Sequence, residues 1–271
     1  MSDDQTRPPA GDWLGTRFLR FERHGSLAVV TVDRPHRRNA MTPSMYFGIR
    51  YAIDHVNRSA ELAGLLITGT GDVFIPGGDI GGDDETPWGE LGLLGMDTTP
   101  FEAVRNSPKP IVSAVNGICQ GGGLLIAMLS DVAVTGPDAT FRAPETLRGI
   151  ADTGYAQYLP AQIGMARARD LLLTGRTIDA PTAVDWGLVT RLATTDDVVS
   201  DGLGALTEAT WAAPGARRIV KREINRQYGA YDRVSMEAAL FDPEYLEGFR
   251  AFKERRPPDW IPDDLRPGGR L

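Results

Sequence analysis

Apolar positions fall along this chain in two rhythms. Short, β-branched runs mark the first two thirds, and helical spacing fills the last third. The run Ile111-Val112-Ser113-Ala114-Val115 is too short for a helix and predicts a buried strand. Asn116-Gly117 is a turn signal, and Gly121-Gly122-Gly123 follows it. Leu124 to Leu129 is apolar on every side, as a fully buried helix is. The chain is organised around this strand, glycine turn and helix.

The rest is read in the same way. Residues 18–21 and 27–32 predict a hairpin turning at His24-Gly25. Thr42 caps a helix that opens on Pro43 and runs to about Asn57. Residues 64–70 form a buried strand. A glycine-rich acidic stretch then runs to about Gly95, followed by a helix over 97–106. Strands are expected at 131–135, 140–142 and 188–191, with short helices at 155–163, 166–174 and 180–186. From 197 onward the pattern is helical: 197–212, 214–227, 231–247 and 248–255. This divides the chain into a polar, flexible tail (1–16), a mixed core (17–195) and a helical C-terminal region (196–271).

The glycine turn is where chemistry enters. The first amides of a helix have no internal partner, and the helix dipole adds positive potential there. A carbonyl oxygen gaining negative charge would be stabilised at such a place. The same glycines would also permit tight strand–helix packing, and the stretch alone leaves both readings open. A phosphate loop needs Lys-Ser/Thr after its last glycine, where this chain has Leu124-Leu125, and the dinucleotide fingerprint does not fit.

Composition narrows the field. The 271 residues carry a net charge of −7, which disfavours nucleic acid and anionic membrane surfaces. The single cysteine, Cys119, allows no internal disulfide and fits a reducing, cytoplasmic setting; it reads as a buried thiol. The first residues lack the apolar core of a signal peptide. His24, His36 and His55 are scattered, so no metal is expected.

An ordered set of short motifs resembles the crotonase superfamily, the enoyl-CoA hydratase/isomerase fold, over about residues 18–255. The set comprises Arg34-Pro35 with Asn39-Ala40, Thr68-Gly69 with Phe74, Gly77-Gly78-Asp79-Ile80, Pro108-Lys109-Pro110, Ala114-Val115-Asn116-Gly117, the glycine triplet and Asp131. Phe141, Pro144-Glu145, Gly149, Leu173-Thr174-Gly175 and Gly187-Leu188-Val189 continue it. The resemblance implies an α/β fold, a spiral of ββα repeats that binds acyl-CoA. C-terminal helices would assemble it into a homotrimer or a dimer of trimers. Coenzyme A would be part of the thioester substrate, with no permanently bound cofactor.

The resemblance also implies roles. The amides of Gly78 and Gly122 would form an oxyanion hole for a thioester enolate. Hydratases of the family use two glutamates; Glu145 matches the second, but the first position is Leu125, which cannot move a proton. One glutamate with leucine at the other place resembles the enoyl-CoA isomerases. Asp152 lies at or beside a position where dienoyl-CoA isomerases carry an aspartate, and it also suits a helix N-cap before Tyr155; both readings stand. Coenzyme A would lie along Arg37, Arg38, Ala40, Gly78, Asp79, Ile80 and Gly122, with Phe252 and Lys253 from a neighbouring subunit. Residues 83–95 with Trp88, and Tyr155 and Tyr158, would wall the acyl group. The expectation is therefore an isomerase with Glu145 as base. A hydratase, lyase or hydrolase using Asp152, a non-catalytic acyl-CoA-binding relative and a purely structural oligomer are the alternatives.

Overall fold

The computed structural model describes residues 13–79, 100–229 and 232–267. Ten strands among them form two sheets. β1 (Leu19–His24) and β2 (Leu27–Val32) make the antiparallel hairpin, with Gly25 in the left-handed region at its turn. Parallel to β2 lie, in order, β3 (Gly64–Gly69), β5 (Ile111–Val115), β7 (Val132–Thr135) and β10 (Arg191–Leu192). The second sheet runs β4 (Val73–Ile75), β6 (Ile118–Gln120), β8 (Thr140–Arg142) and β9 (Ile178–Asp179). Its first three strands are parallel.

The larger sheet is covered on both faces, which is why its strands read as unbroken apolar runs. Alternate residues face opposite ways. Ala28, Val30, Leu65, Ile67, Ile111 and Val115 join the main core; Val29, Leu66, Val112 and Ala114 join a second one. Helix α1 (Pro43–Arg58) puts Ile49, Ile53 and Val56 on the main side, and Thr42 Oγ1 caps it by accepting from the Met45 amide. Helix α3 (Gly122–Leu129) touches β4 and β6 on one side and β5 and β7 on the other. It is apolar all round because it lies between the sheets. Helix α2 (Phe101–Asn106) precedes β5.

Four more helices follow: α4 (Thr153–Ile163), α5 (Met165–Thr174), α6 (Ala180–Asp185) and α7 (Val198–Thr210). Although α7 follows the last strand, its Val198, Ala205 and Leu206 cover the outer face of the larger sheet. Next come α8 (Pro214–Asn225), α9 (Arg233–Ala239) and α10 (Pro243–Glu254). Lys221 of α8 reaches back to Asp131, whose Oδ2 also accepts from the Ile111 amide.

Several boundaries differ from expectation. The last strand is 191–192 rather than 188–191, because Leu188 and Val189 are buried in the turn after α6. The helices expected at 231–247 and 248–255 divide at Asp242, which caps α10 ahead of Pro243. Of the tail expected over 1–16, residues 1–12 lie outside the described residues, and Leu14 and Thr16 are buried.

One loop ties the sheets together. The Asn39 side chain donates to the carbonyls of Thr70 and Val73 and accepts from the Arg34 amide. Arg34 is fully buried, its Nη1 2.7 Å from Asp79 Oδ2 and 2.7 Å from the Ala40 carbonyl. Truncating Arg34 would remove a buried charge-assisted bond to Asp79 and the bond to the Ala40 carbonyl. Arg34→Ala is expected to lower the unfolding free energy by about 3–5 kcal/mol in urea titrations.

Candidate active site

β4, β6 and β8 run the same way, so their C-terminal ends meet at one edge, where open parallel sheets hold their ligands. β4 leads into Gly77-Gly78-Asp79, β6 into Gly121-Gly122, and β8 into Ala143-Pro144-Glu145. The junction is tight. A Cβ on Gly121 would stand 3.0 Å from Glu145 Oε1 and 3.2 Å from the Gly77 Cα. Gly121 also has φ +54°, a conformation that side chains strain.

The two glycine loops present amides to this junction. Met41 bonds through its amide to the Gly77 carbonyl and through its carbonyl to the Asp79 amide. That bridge turns the N–H of Gly78 to the other side. Gly122 is the first residue of α3, so its N–H has no intrahelical partner. Preorganised amides of this kind can stabilise charge that appears during a reaction. A Cβ on Gly122 would collide with the Tyr46 hydroxyl, and one on Gly123 with Ile75. The triplet therefore serves both close packing and an open helix start.

Glu145 and Asp152 are brought together here. Each keeps some accessible surface, yet Glu145 Oε2 is sealed from solvent and has no hydrogen-bond partner among the described residues. Burial first, then the charge of Asp152, pushes the Glu145 pKa up to about 8. Burial also raises Asp152, to about 6, against the opposing pull of the Tyr155 and Gly154 amides. Such a pair titrates jointly. Asp152 caps α4 as well, its Oδ1 accepting from the Tyr155 amide at 3.1 Å. The two readings of this residue are compatible.

Leu125 lies in the main core and is 3% exposed, so the wall that α3 gives the site carries no acid there. Cys119 is buried in β6, and burial pushes its thiol well up, which leaves it protonated. Two hydroxyls meet at the junction, that of Tyr46, which the sequence did not single out, and that of Tyr155, which was expected beside the acyl group. Tyr46 sits over Gly122, and burial together with Glu145 and Asp152 raises its pKa. Tyr155 donates to the Gly121 carbonyl at 2.5 Å. Tyr158, expected beside it, instead donates to Glu102 Oε1 and faces the Arg105 guanidinium.

Arg37 and Arg38 stand exposed on the loop after β2, and Ala40 receives the Arg34 bond. Asp79 is committed to Arg34. Phe252 packs under the Arg148 guanidinium at 3.9 Å, and Lys253 is exposed. Ile80 and residues 83–95 lie outside the described residues. Helix α10 buttresses the turn after Glu145: a Cβ on Gly149 would strike the Glu244 carbonyl, and one on Gly248 the Arg148 carbonyl. Among the described residues no group of three His, Cys, Asp or Glu could hold a metal ion, and no helix is long and apolar enough to cross a membrane.

Known proteins share this architecture. The family model "Enoyl-CoA hydratase/isomerase" matches residues 22–262. The probable enoyl-CoA hydratase echA8 of Mycobacterium bovis is 30% identical over 88% of this chain and 96% of its own. The mevalonyl-coenzyme A hydratase sidH of Aspergillus fumigatus is 31% identical over 88% and 93%. Among solved structures, EchA1_1 from Mycobacterium paratuberculosis superposes with a TM-score of 0.77 at 30% identity, over 90% of this chain and 98% of that one.

The raised Glu145 pKa has a thermodynamic consequence. Between its ordinary value of 4.5 and about 8, the folded state keeps a proton that the unfolded chain has released. The unfolded state binds fewer protons there, so stability falls as pH rises through the window. Glu145→Gln carries no such charge. Its melting temperature relative to wild type is expected to rise between about pH 5 and about pH 8.5, read by calorimetry. A difference that stays level would deny the shift.

Proposed function

The chain belongs to the enoyl-CoA hydratase/isomerase family, the crotonase superfamily, and from that membership we propose that it is an enoyl-CoA isomerase whose Glu145–Asp152 pair carries the proton. The observation that carries the proposal is the pair itself: two largely enclosed carboxylates, Glu145 in the loop after β8 and Asp152 at the start of α4, with Leu125 where a hydratase would carry a further acid. With one proton between them, one member is free to take the C2 proton of a 3-enoyl thioester. Electrons then move onto the thioester oxygen, and the amides of Gly78 and Gly122 hold the resulting dienolate. The other member delivers its proton at C4, leaving the 2-enoyl product and the pair singly protonated again. No water is consumed. This extends the single-base expectation by giving Asp152 a share of the work.

Hydration is the second reading, favoured by the relatives, several of which are named hydratases. There the ionised member would activate a water for attack at C3. Substrate binding is assigned to Arg37, Arg38, Ala40, Gly78, Asp79, Ile80, Gly122, Phe252 and Lys253. The residues of the pair and the two amides are the catalytic assignment.

Self-association belongs to the same reading. Helix α8 has no buried residue, yet it carries Ile219, Val220 and Ile224 on its outer side. Trp211, Phe241 and Leu246 are also exposed nearby in sequence. Such apolar surface supports burial against further copies, as a homotrimer or a dimer of trimers. Ile219→Asp with Ile224→Asp is expected to release monomers in light scattering after size exclusion.

Turnover separates the chemical readings. In deuterated water, a short 3-enoyl-CoA should become the 2-enoyl-CoA with deuterium incorporated and no added water. Glu145→Gln and Asp152→Asn should each slow this by about 10²–10⁴-fold. The rate should peak between about pH 6 and pH 8 and fall on both sides. Gain of one water from the 2-enoyl-CoA would select hydration. Full activity in Asp152→Asn would return the chemistry to Glu145 alone.

A further inference from the structure

The peptide joining Gly121 to Gly122 is the most exposed weakness of the proposed site. Its N–H is the one assigned to the thioester oxygen, and with glycine on both sides its orientation depends on hydrogen bonds rather than on side chains. Because the peptide is planar and trans, whatever holds the Gly121 carbonyl also sets the direction of the Gly122 N–H. That carbonyl accepts from the Leu124 amide at 2.9 Å and the Leu125 amide at 3.2 Å, as the first turn of a helix requires. A third donor comes from elsewhere in the chain: the Tyr155 hydroxyl, 2.5 Å away and fully buried.

We propose that Tyr155 is a positioning residue for the oxyanion hole, its hydroxyl fixing and polarising the peptide whose N–H is that of Gly122. This rests on the reading of Gly122 as an oxyanion donor. A hydrogen bond to a peptide carbonyl draws electron density toward oxygen and makes the N–H of the same peptide a better donor. Burial and the nearby carboxylates raise the Tyr155 pKa well above its usual value, so the hydroxyl stays protonated and donating. Tyr155 is itself held by Asp152, which accepts from its backbone amide at 3.1 Å. One short segment thus supplies a member of the acid pair and the anchor of the oxyanion peptide.

The first readout needs no turnover. A 3-aryl-2-enoyl thioester of coenzyme A absorbs further to the red as its carbonyl is polarised, so its bound spectrum reports the hole directly. Tyr155→Phe removes only the hydroxyl, and the carbonyl keeps its two amide donors. The red shift is expected to shrink and kcat to fall about 10-fold, less than the 10²–10³-fold typical of losing a donor itself, with KM little changed. Replacing Tyr155 by a fluorinated tyrosine, a stronger donor of the same shape, is expected to enlarge both, which guards against a Phe variant that folds poorly. A normal wild-type shift left unaltered by both replacements overturns the role of Tyr155 alone. A wild-type enzyme that binds the thioester with no red shift overturns the oxyanion reading, and this proposal with it.

Discussion

The parallel run of β4, β6 and β8 is the constraint on which the site depends. Parallel neighbours end on the same side, so three segments far apart in sequence leave the sheet at one place. Gly77-Gly78, Gly121-Gly122 and Pro144-Glu145 are those segments. The closeness of Gly121 to both Gly77 and Glu145 shows how little room remains. Glycine at 121 follows from that closeness and from its positive φ. The Asn39 and Arg34 bonds then lock the loop before α1 to the loops beside β4, so the junction cannot open at low cost.

Electrostatics follow from the packing. Among the described residues no donor reaches Glu145 Oε2, and burial outweighs the backbone hydrogen bond and the Arg148 and Arg142 charges that favour the ionised form. The second carboxylate, Asp152, sits beside it and adds repulsion. Two acids in one enclosed place push their titrations apart, which is how a site keeps an acid and a base at the same pH.

Much of this was legible in the chain. The buried strand at 111–115, the apolar helix after the triplet, the hairpin and the Thr42-Pro43 helix start all carry strong local signals. The family motif pattern pointed to Gly78, Gly122 and Glu145, and the strand ends place these residues in neighbouring loops. β4, β6 and β9 were not legible, since strands of two or three residues exist through pairing rather than through periodicity. Tyr46 read as an ordinary helix residue, and Tyr155 as a wall of the acyl group rather than a partner of a peptide. Only the folded chain shows their hydroxyls converging on the Gly121–Gly122 peptide from α1 and α4. Asp152 looked like a choice between cap and acid because sequence offers no way to see that one position serves both.

The account turns on the protonation of two carboxyl groups, which isotope-edited infrared titration reads directly. With labelled glutamate and aspartate, and with Glu145→Gln and Asp152→Asn for assignment, a protonated carboxyl band should persist through neutral pH. It should disappear near pH 8, after a first step near pH 6. Loss of every protonated carboxyl signal by about pH 5, where ordinary glutamates and aspartates have ionised, would contradict the shared proton and the mechanism built on it.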